Sequence, residues 1–511
     1  MSSRNRYDGL LRSLNRKHEA SPCATDYASA SRRAAHTDGT GRTSGTPRCC
    51  GFDKALVFFA AGLFVLFHVE RVTCATEPGV SVEQSAFAID STKGLLAVRH
   101  SGKFLGARSC AASACHGGVD PDPRFPLSQR NEYVTWLDRD PHSRSHRTLD
   151  NELSQAILSR LARPADDDDD RARRLANCLG CHNPQPEPLR RSDTYFIRDG
   201  VSCEMCHGAA EQWIGPHVTA EWPRLKQSGE AITMGFIATE DRTVRAETCV
   251  ACHVGSPGRE VNHDLIAAGH PALKFELTAY YAMLPKHWRD TDERRGNPQL
   301  EVELWQAGQV ACAKAAVELL KWRATRAADE DTDAIWPEFA EYDCYACHHD
   351  LVHPSWRQTS DAGSAPLGMA EWGSWYFNRM RQVSRSSLEP VETAMQSGFR
   401  PEPAAVIAAC SSVRFAAPGI QDAVRVPKNW DDATQQYLAL VAWEQAQRDA
   451  GKPNATRLTT SITNLRQQLA FPEGHDSPMR LFESGGASVT RDQVHQSLLE
   501  LMRQIQQRGE N

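Results

Sequence analysis

Cys203-Glu204-Met205-Cys206-His207 is one of four short stretches of this chain that share a pattern. The others are Cys178-Leu179-Gly180-Cys181-His182, Cys249-Val250-Ala251-Cys252-His253 and Cys344-Tyr345-Ala346-Cys347-His348. Each reads C-x-x-C-H. Independent draws from this composition would give about 0.02 such matches in the whole chain, so four are not accidental. The spacing has a chemical meaning. On a helical turn, residues i and i+3 share a face, and the residue at i+4 lies on that face too. Two thiols so placed can add to the two vinyl groups of a haem, and the imidazole then reaches the iron as an axial ligand. One turn of chain fixes the porphyrin at three points, and the pattern is the attachment signal of haem c.

A fifth segment is a variant, Cys110-Ala-Ala-Ser-Ala-Cys115-His116, with four residues between the cysteines. Because the vinyl separation is fixed, the two extra residues must bulge out. The competing readings are zinc and disulfides. Two C-x-x-C pairs, 178/181 and 203/206, are spaced somewhat like a zinc ribbon. Neither zinc nor disulfide pairing calls for a His directly after each second Cys. The expectation is therefore five covalently attached haems c. Cys110, Cys115, Cys178, Cys181, Cys203, Cys206, Cys249, Cys252, Cys344 and Cys347 would bind them. His116, His182, His207, His253 and His348 would be the proximal iron ligands. Of the six other cysteines, 23, 49, 50 and 74 precede the haem region, while Cys312 and Cys410 either pair or are simply buried.

Five irons take up to five further ligands. A Met would raise the potential and a second His would keep it low. Past residue 75 and outside the five segments, His stands at 100, 142, 146, 217, 263, 270, 287, 349, 353, 475 and 495, and the haem region has few Met. Coordination by two imidazoles is the natural expectation. By their settings, His142 (after Trp136 and Asp140-Pro141), His146, His217 (in Trp213-Ile-Gly-Pro-His217), His263, His270 (after Gly269), His349 and His353 are candidates. His475 and His495 sit in the tail and are not expected to be ligands. The pairing of a distal His with a given haem stays open.

Asn177-Cys-Leu-Gly-Cys-His182, then Gly200-Val-Ser-Cys-Glu-Met-Cys-His-Gly208 and His217, resembles the multihaem cytochrome family typified by the tetrahaem electron acceptor of hydroxylamine oxidoreductase. Asp140-Pro-His142, Val261-Asn-His-Asp264 and Ala268-Gly-His-Pro271 fit the same family, over roughly residues 105–355. The resemblance implies His142, His217 and His270 as distal ligands, with His263 close behind. It also implies closely stacked haem pairs and periplasmic electron transfer. The chain departs from the tetrahaem type in its fifth site, its one longer Cys gap and its long tail.

The 511 residues are 41% hydrophobic, modest for that length, with a net charge of −6. No basic balance points to nucleic acid. Residues 1–75 carry a net +5, leaving −11 on the remainder. Such an acidic body tends to prefer basic protein partners. Residues 1–54 are polar and Arg-rich, and 55–67 form a thirteen-residue apolar run, short for a bilayer span and fitting for a signal-peptide core. Thr73-Cys74-Ala75 offers small residues for cleavage. If uncleaved, 55–67 would be a membrane anchor. Either way the bulk of the chain is expected in the periplasm.

The expected organisation is a leader at 1–75, a linker at 76–104, a pentahaem cytochrome c domain at 105–355 and a helical region at 356–511. The fold class is mainly α with much irregular chain. A helix is expected at 301–326, with Leu304, Gly308, Ala311, Ala315, Leu319 and Trp322 at helical spacing. Asn429 should cap another, with Trp430, Ala433, Tyr437, Val441 and Trp443 on one face and Gly451 and Pro453 at its end. Thr490-Arg-Asp-Gln493 is a capping box for a last helix bearing Val494, Leu498, Leu501 and Ile505. Asp166–Asp170 reads as a solvated loop. Two functions follow. One is electron transfer between redox protein partners through closed, six-coordinate haems. The other is a haem enzyme, a reductase or oxidase of small nitrogen compounds, with one open iron. No C-x-x-C-Lys segment, usual at the active haem of pentahaem nitrite reductases, is present.

Overall fold

Leu300–Ala328 is a single helix of 29 residues, and the architecture is built around it. In the computed structural model the described residues are 102–124, 128–162, 168–329, 334–344, 347–348, 370–373, 375–420, 424–452, 456–470 and 491–510. They belong to one of the two units into which the chain divides. The leader, including the apolar run 55–67, lies outside them. Among the described residues no helix is long and apolar enough to cross a membrane.

The principal helices in chain order are α1 Glu132–Arg139, α2 Glu152–Leu161, α3 Asp168–His182, α4 Cys203–His207, α5 Arg242–His253, α6 His263–Ala267 and α7 Leu277–Met283. Then come α8 Leu300–Ala328, α9 Arg385–Met395, α10 Pro403–Ser412, α11 Trp430–Asp449, α12 Thr456–Leu469 and α13 Arg491–Glu510. Short helical turns and irregular chain join them. Among the described residues the β content is three isolated bridges. The protein is mainly helical, as the sequence leads one to expect.

On one side α8 packs against α5 and α10, and on the other against α11. This sandwich explains why α8 buries more than one stripe. Leu304, Gly308, Ala311 and Leu319 are buried as the periodicity predicts, but so are Trp305, Gln309, Cys312, Ala316 and Leu320 on other faces. Ala315 and Trp322 are only half-buried. Gly308 marks the crossing with α7, since a Cβ there would stand 2.6 Å from the Cβ of Leu277. The acidic run differs from expectation. Asp168–Asp170 form the first turn of α3, and residues 166 and 167 lie outside the described ones.

The C-terminal helices have their own core, in which Tyr437, Val441, Ile462, Leu465, Leu498, Leu501 and Ile505 meet. The Asn429 side chain accepts from the Asp432 N–H to start α11, and Gly451 ends it at φ 77°. Instead of one buried face, α11 is buried almost all round. Several of its polar residues find partners inside the protein. Gln309 Nε2 donates to Gln435 Oε1 at 3.1 Å, and Lys274 meets Asp431 at 2.5 Å. Asp432, 0% exposed, receives Arg379 at 2.9 Å, Arg425 at 3.1 Å and the Lys428 N–H at 3.0 Å. Breaking a buried ion pair leaves its partner's charge uncompensated. Asp432→Ala is accordingly expected to lower stability by about 3–5 kcal/mol, read as a fall in the chemical-denaturation midpoint. An unchanged midpoint would refute this account of the α11 interior.

Candidate haem sites

Three of the five Cys/His segments are helical: the second closes α3, the third is α4 and the fourth closes α5. In the fifth, whose residues 345 and 346 lie outside the described ones, the His348 N–H donates to Cys344 O at 2.8 Å. The variant reaches the same end by another route. Its Cys115 N–H donates to Ala112 O at 2.8 Å, and its His116 N–H donates to Cys110 O at 3.3 Å. The two extra residues loop out, and the His amide still closes onto the first Cys carbonyl. All ten cysteines are free thiols, as are Cys312 and Cys410, both buried.

Thiols of different segments also meet. Cys110 lies beside Cys203, and Cys181 beside Cys252. The first segment thus lies beside the third, and the second beside the fourth. Burial pushes the Cys206 thiol up to about 12 and Cys249 up to about 11.

The histidines are arranged in opposed pairs. His116 faces His217 with ring centroids 6.2 Å apart, His142 faces His253 at 6.1 Å, and His182 faces His270 at 6.4 Å. His207 faces His287 at 6.3 Å, and His263 faces His348 at 6.2 Å. Each motif His has one partner from outside the motifs. Two imidazoles bound to one metal from opposite sides through Nε2, at a metal–nitrogen distance of ~2.0 Å, hold their centroids about 6.3 Å apart. The ring planes are nearly parallel in two pairs, at 14° (116/217) and 25° (263/348). They are nearly perpendicular in the other three, at 81°, 83° and 79°.

The opposite edges of these rings are held. His116 Nδ1 lies 2.9 Å from Glu132 Oε2, and His142 Nδ1 lies 2.9 Å from Asp140 Oδ1. His217 Nδ1 donates to Ile214 O at 2.5 Å and His270 Nδ1 to Pro271 O at 2.8 Å. Thr148 donates its own hydroxyl proton to Ser145 O, so its oxygen accepts from His182 Nδ1 at 2.8 Å. A hydrogen bond at Nδ1 sets the tautomer that leaves Nε2 free to bind metal. Burial also favours the neutral ring that ligation requires. It lowers His182, His217 and His287, takes His207 down to about 4, and takes His253 down to about 3. His116 is raised by its bond to Glu132. In His142, burial pulls downward but Asp140 outweighs it, and the net shift is upward.

Aromatic rings pack around several pairs. Phe275 stacks on His253 at 4.9 Å, Trp213 meets His217 edge-on at 5.5 Å, and Trp288 stands 5.0 Å from His287. Gly208, directly after His207, has φ 85°, and a Cβ there would fall 1.9 Å from Gly235 O. That close backbone approach lets the Ile237 N–H donate to His207 O at 3.0 Å. Glu204, inside the third motif, is 2% exposed and accepts the N–H groups of Leu105 (2.9 Å), Gly106 (2.6 Å) and Ala210 (2.8 Å). It staples the chain leading into the first motif onto the third.

The donor set fits haem c. Two opposed imidazoles leave four equatorial positions that a porphyrin supplies, and a thiol pair adjoins one imidazole of each set. Among the described residues no group of three or more His, Cys, Asp or Glu side chains gathers as a metal cage, the arrangement zinc would need. The structure brings His142, His217, His263 and His270 each opposite a motif His. His349 lies outside the described residues, and the imidazole facing His348 is that of His263. His287 is the residue that the sequence reading passed over as a site residue. Its one local signal is the adjoining Trp288, the kind of aromatic neighbour that had singled out His142. His146 is half-buried and faces no second imidazole at ring-contact distance.

Helical chain, thiol pairs and opposed imidazoles together define a haem-binding protein of the c type. Residues 110–208, which hold the first three motifs, match the family model described as cytochrome c554 and c-prime. That match supports a multihaem c-type cytochrome, with covalently bound haem c and haem-based electron transfer. No curated protein and no solved structure matches the chain.

Glu204→Gln removes the charge from the staple and one of its acceptor oxygens. The expected outcome is a loss of ~2 kcal/mol in stability, with faster amide exchange at Leu105, Gly106 and Ala210. Unchanged exchange at those three amides would show that Glu204 holds nothing in place.

Proposed function

We propose that the protein is a periplasmic electron carrier with five covalently attached c-type haems, each closed by two histidines. The observation that carries this reading is that all five motif histidines face a second imidazole at 6.1–6.4 Å. A haem with both axial positions filled supplies one-electron transfer and leaves no site for a small-molecule substrate. The proximal ligands are His116, His182, His207, His253 and His348. Their distal partners are His217, His270, His287, His142 and His263, in that order. The cross-motif thiol contacts bring neighbouring attachment segments within reach of one another, as passage of electrons from centre to centre requires. The enzymatic alternative needs an iron with one imidazole, and the paired arrangement argues against it.

Export is supported by the apolar run 55–67 with the small residues at 73–75, and by the chemistry of haem c, whose thioethers form outside the cytoplasm. An uncleaved leader would tether the protein to the membrane. The acidic balance of residues 76–511 favours redox partners that present basic surfaces.

The test is the visible spectrum of the dithionite-reduced protein, matured in a host with haem c machinery, before and after carbon monoxide. Five c-type haems per chain and no change on carbon monoxide are expected. A carbon monoxide shift in the native protein would mean an open iron and return the enzymatic reading. His287→Ala should open one site and give a shift worth one haem in five, while His349→Ala should give none. In the oxidised state, electron paramagnetic resonance should resolve two kinds of low-spin iron. Two centres should have near-parallel imidazoles and three near-perpendicular ones.

A further inference from the structure

Arg259 is 6% exposed, yet among the described residues no carboxylate pairs with it, and its Nη1 has no hydrogen-bond partner. A buried guanidinium without a carboxylate partner is costly. Its position is tightly built. Ser256-Pro257-Gly258-Arg259 forms a turn just after the fourth motif. Arg259 N–H donates to Ser256 O at 2.8 Å, and Ser256 N–H donates to Arg259 O at 3.0 Å. Pro257 stands where a type II turn favours proline, and Gly258 takes the positive φ of 74° that such a turn needs.

The turn lays the Arg259 stem across the second motif. A Cβ on Gly180, between Cys178 and Cys181, would lie 2.9 Å from Arg259 Cγ and 3.5 Å from its Cδ. The absent side chain at Gly180 is what lets the stem pass. Beyond it the guanidinium lies beside the Cys252 sulfur, and Cys252 in turn lies beside Cys181. One buried cation therefore sits at the joint between the second and fourth attachment segments.

A positive charge in a low-dielectric interior favours whichever neighbouring state is more negative, here a centre that has gained an electron. We propose that Arg259 raises the reduction potentials of the two haems held by Cys178–His182 and Cys249–His253 above those of the other three. It would make this pair the place where electrons collect. The proposal rests on the five-haem reading above and goes beyond it by assigning a potential-setting role to a residue that binds no iron.

The experiment is a spectroscopic redox titration of the full-length, haem-loaded protein, with haem content measured for each variant. Arg259→Gln should move two of the five midpoints to lower potential and leave three in place. Arg259→Lys, which keeps the charge, should retain most of the native profile. Gly180→Ala keeps the arginine but forces its stem away, so the same two midpoints should fall by less. If Arg259→Gln does not mature with five haems, Gly180→Ala decides. Unchanged midpoints, or all five moving together, would overturn the proposal while leaving the carrier reading intact. Absence of a c-type band in the native protein would instead overturn the carrier reading.

Discussion

Everything in the haem region hangs on one constraint, the opposition of two imidazoles across a gap of about two metal–nitrogen bonds. Each such pair joins a Cys/His segment to a residue far away in the chain. Together they knit short helices and irregular loops that could not form a conventional core alone. Some of the buried apolar clusters in this region are small, such as Phe104 with Met205 and Ala209, or Ile157 with Leu265 and Ala268. The polar ties do the rest. Glu204 holds three backbone amides. Arg323 bonds to Glu260, close to His263, and to Glu341, close to Cys344. Asn177 exchanges hydrogen bonds with the backbone of Glu260, bringing the second segment to the same place.

The contrast with the C-terminal helices is instructive. There α11, α12 and α13 bury long aliphatic and aromatic side chains in one cluster, as an ordinary helical bundle does. The helix α8 belongs to both regimes. It presents Val317 and Leu320 to the core shared with α5, and Trp305 to a cluster with Ala439 and Ala442 of α11. Through α5 the fourth haem segment is mounted on the longest of the described helices. Through Lys274, which meets Asp431 and lies 5.3 Å from the Trp430 ring, the chain between His270 and α7 is fastened to the C-terminal helices.

The sequence disclosed the attachment segments because their chemistry is local. Thiol, thiol and imidazole must fall within one turn, so spacing alone reveals them. The helices at 300–328, 430–449 and 491–510 were also legible, since capping residues and apolar periodicity are local too. Two things were not. The all-round burial of α11 depends on Arg379, Arg425 and Gln309, which come from distant segments and which no periodicity announces. The distal partners are likewise set by tertiary folding. His142, His217, His263 and His270 carried local cues in Pro, Gly and Trp neighbours. His287 had only Trp288, and it fell outside the segments that resembled a known family. His349 attracted attention by lying next to His348, and it falls outside the described residues.

The pairing order gives the chain a direction. The partners of His116, His182 and His207 all lie downstream, at His217, His270 and His287, whereas those of His253 and His348 lie upstream, at His142 and His263. A polypeptide emerging amino-terminus first would expose its first three attachment segments before their sixth ligands had crossed. The last two would find theirs already waiting. On the proposed five-haem reading, the early centres would pass through a stage open to solvent and oxidants during biogenesis, and assembly itself, not just the finished fold, would have a vulnerable interval that closes only once the segment around residue 287 has arrived.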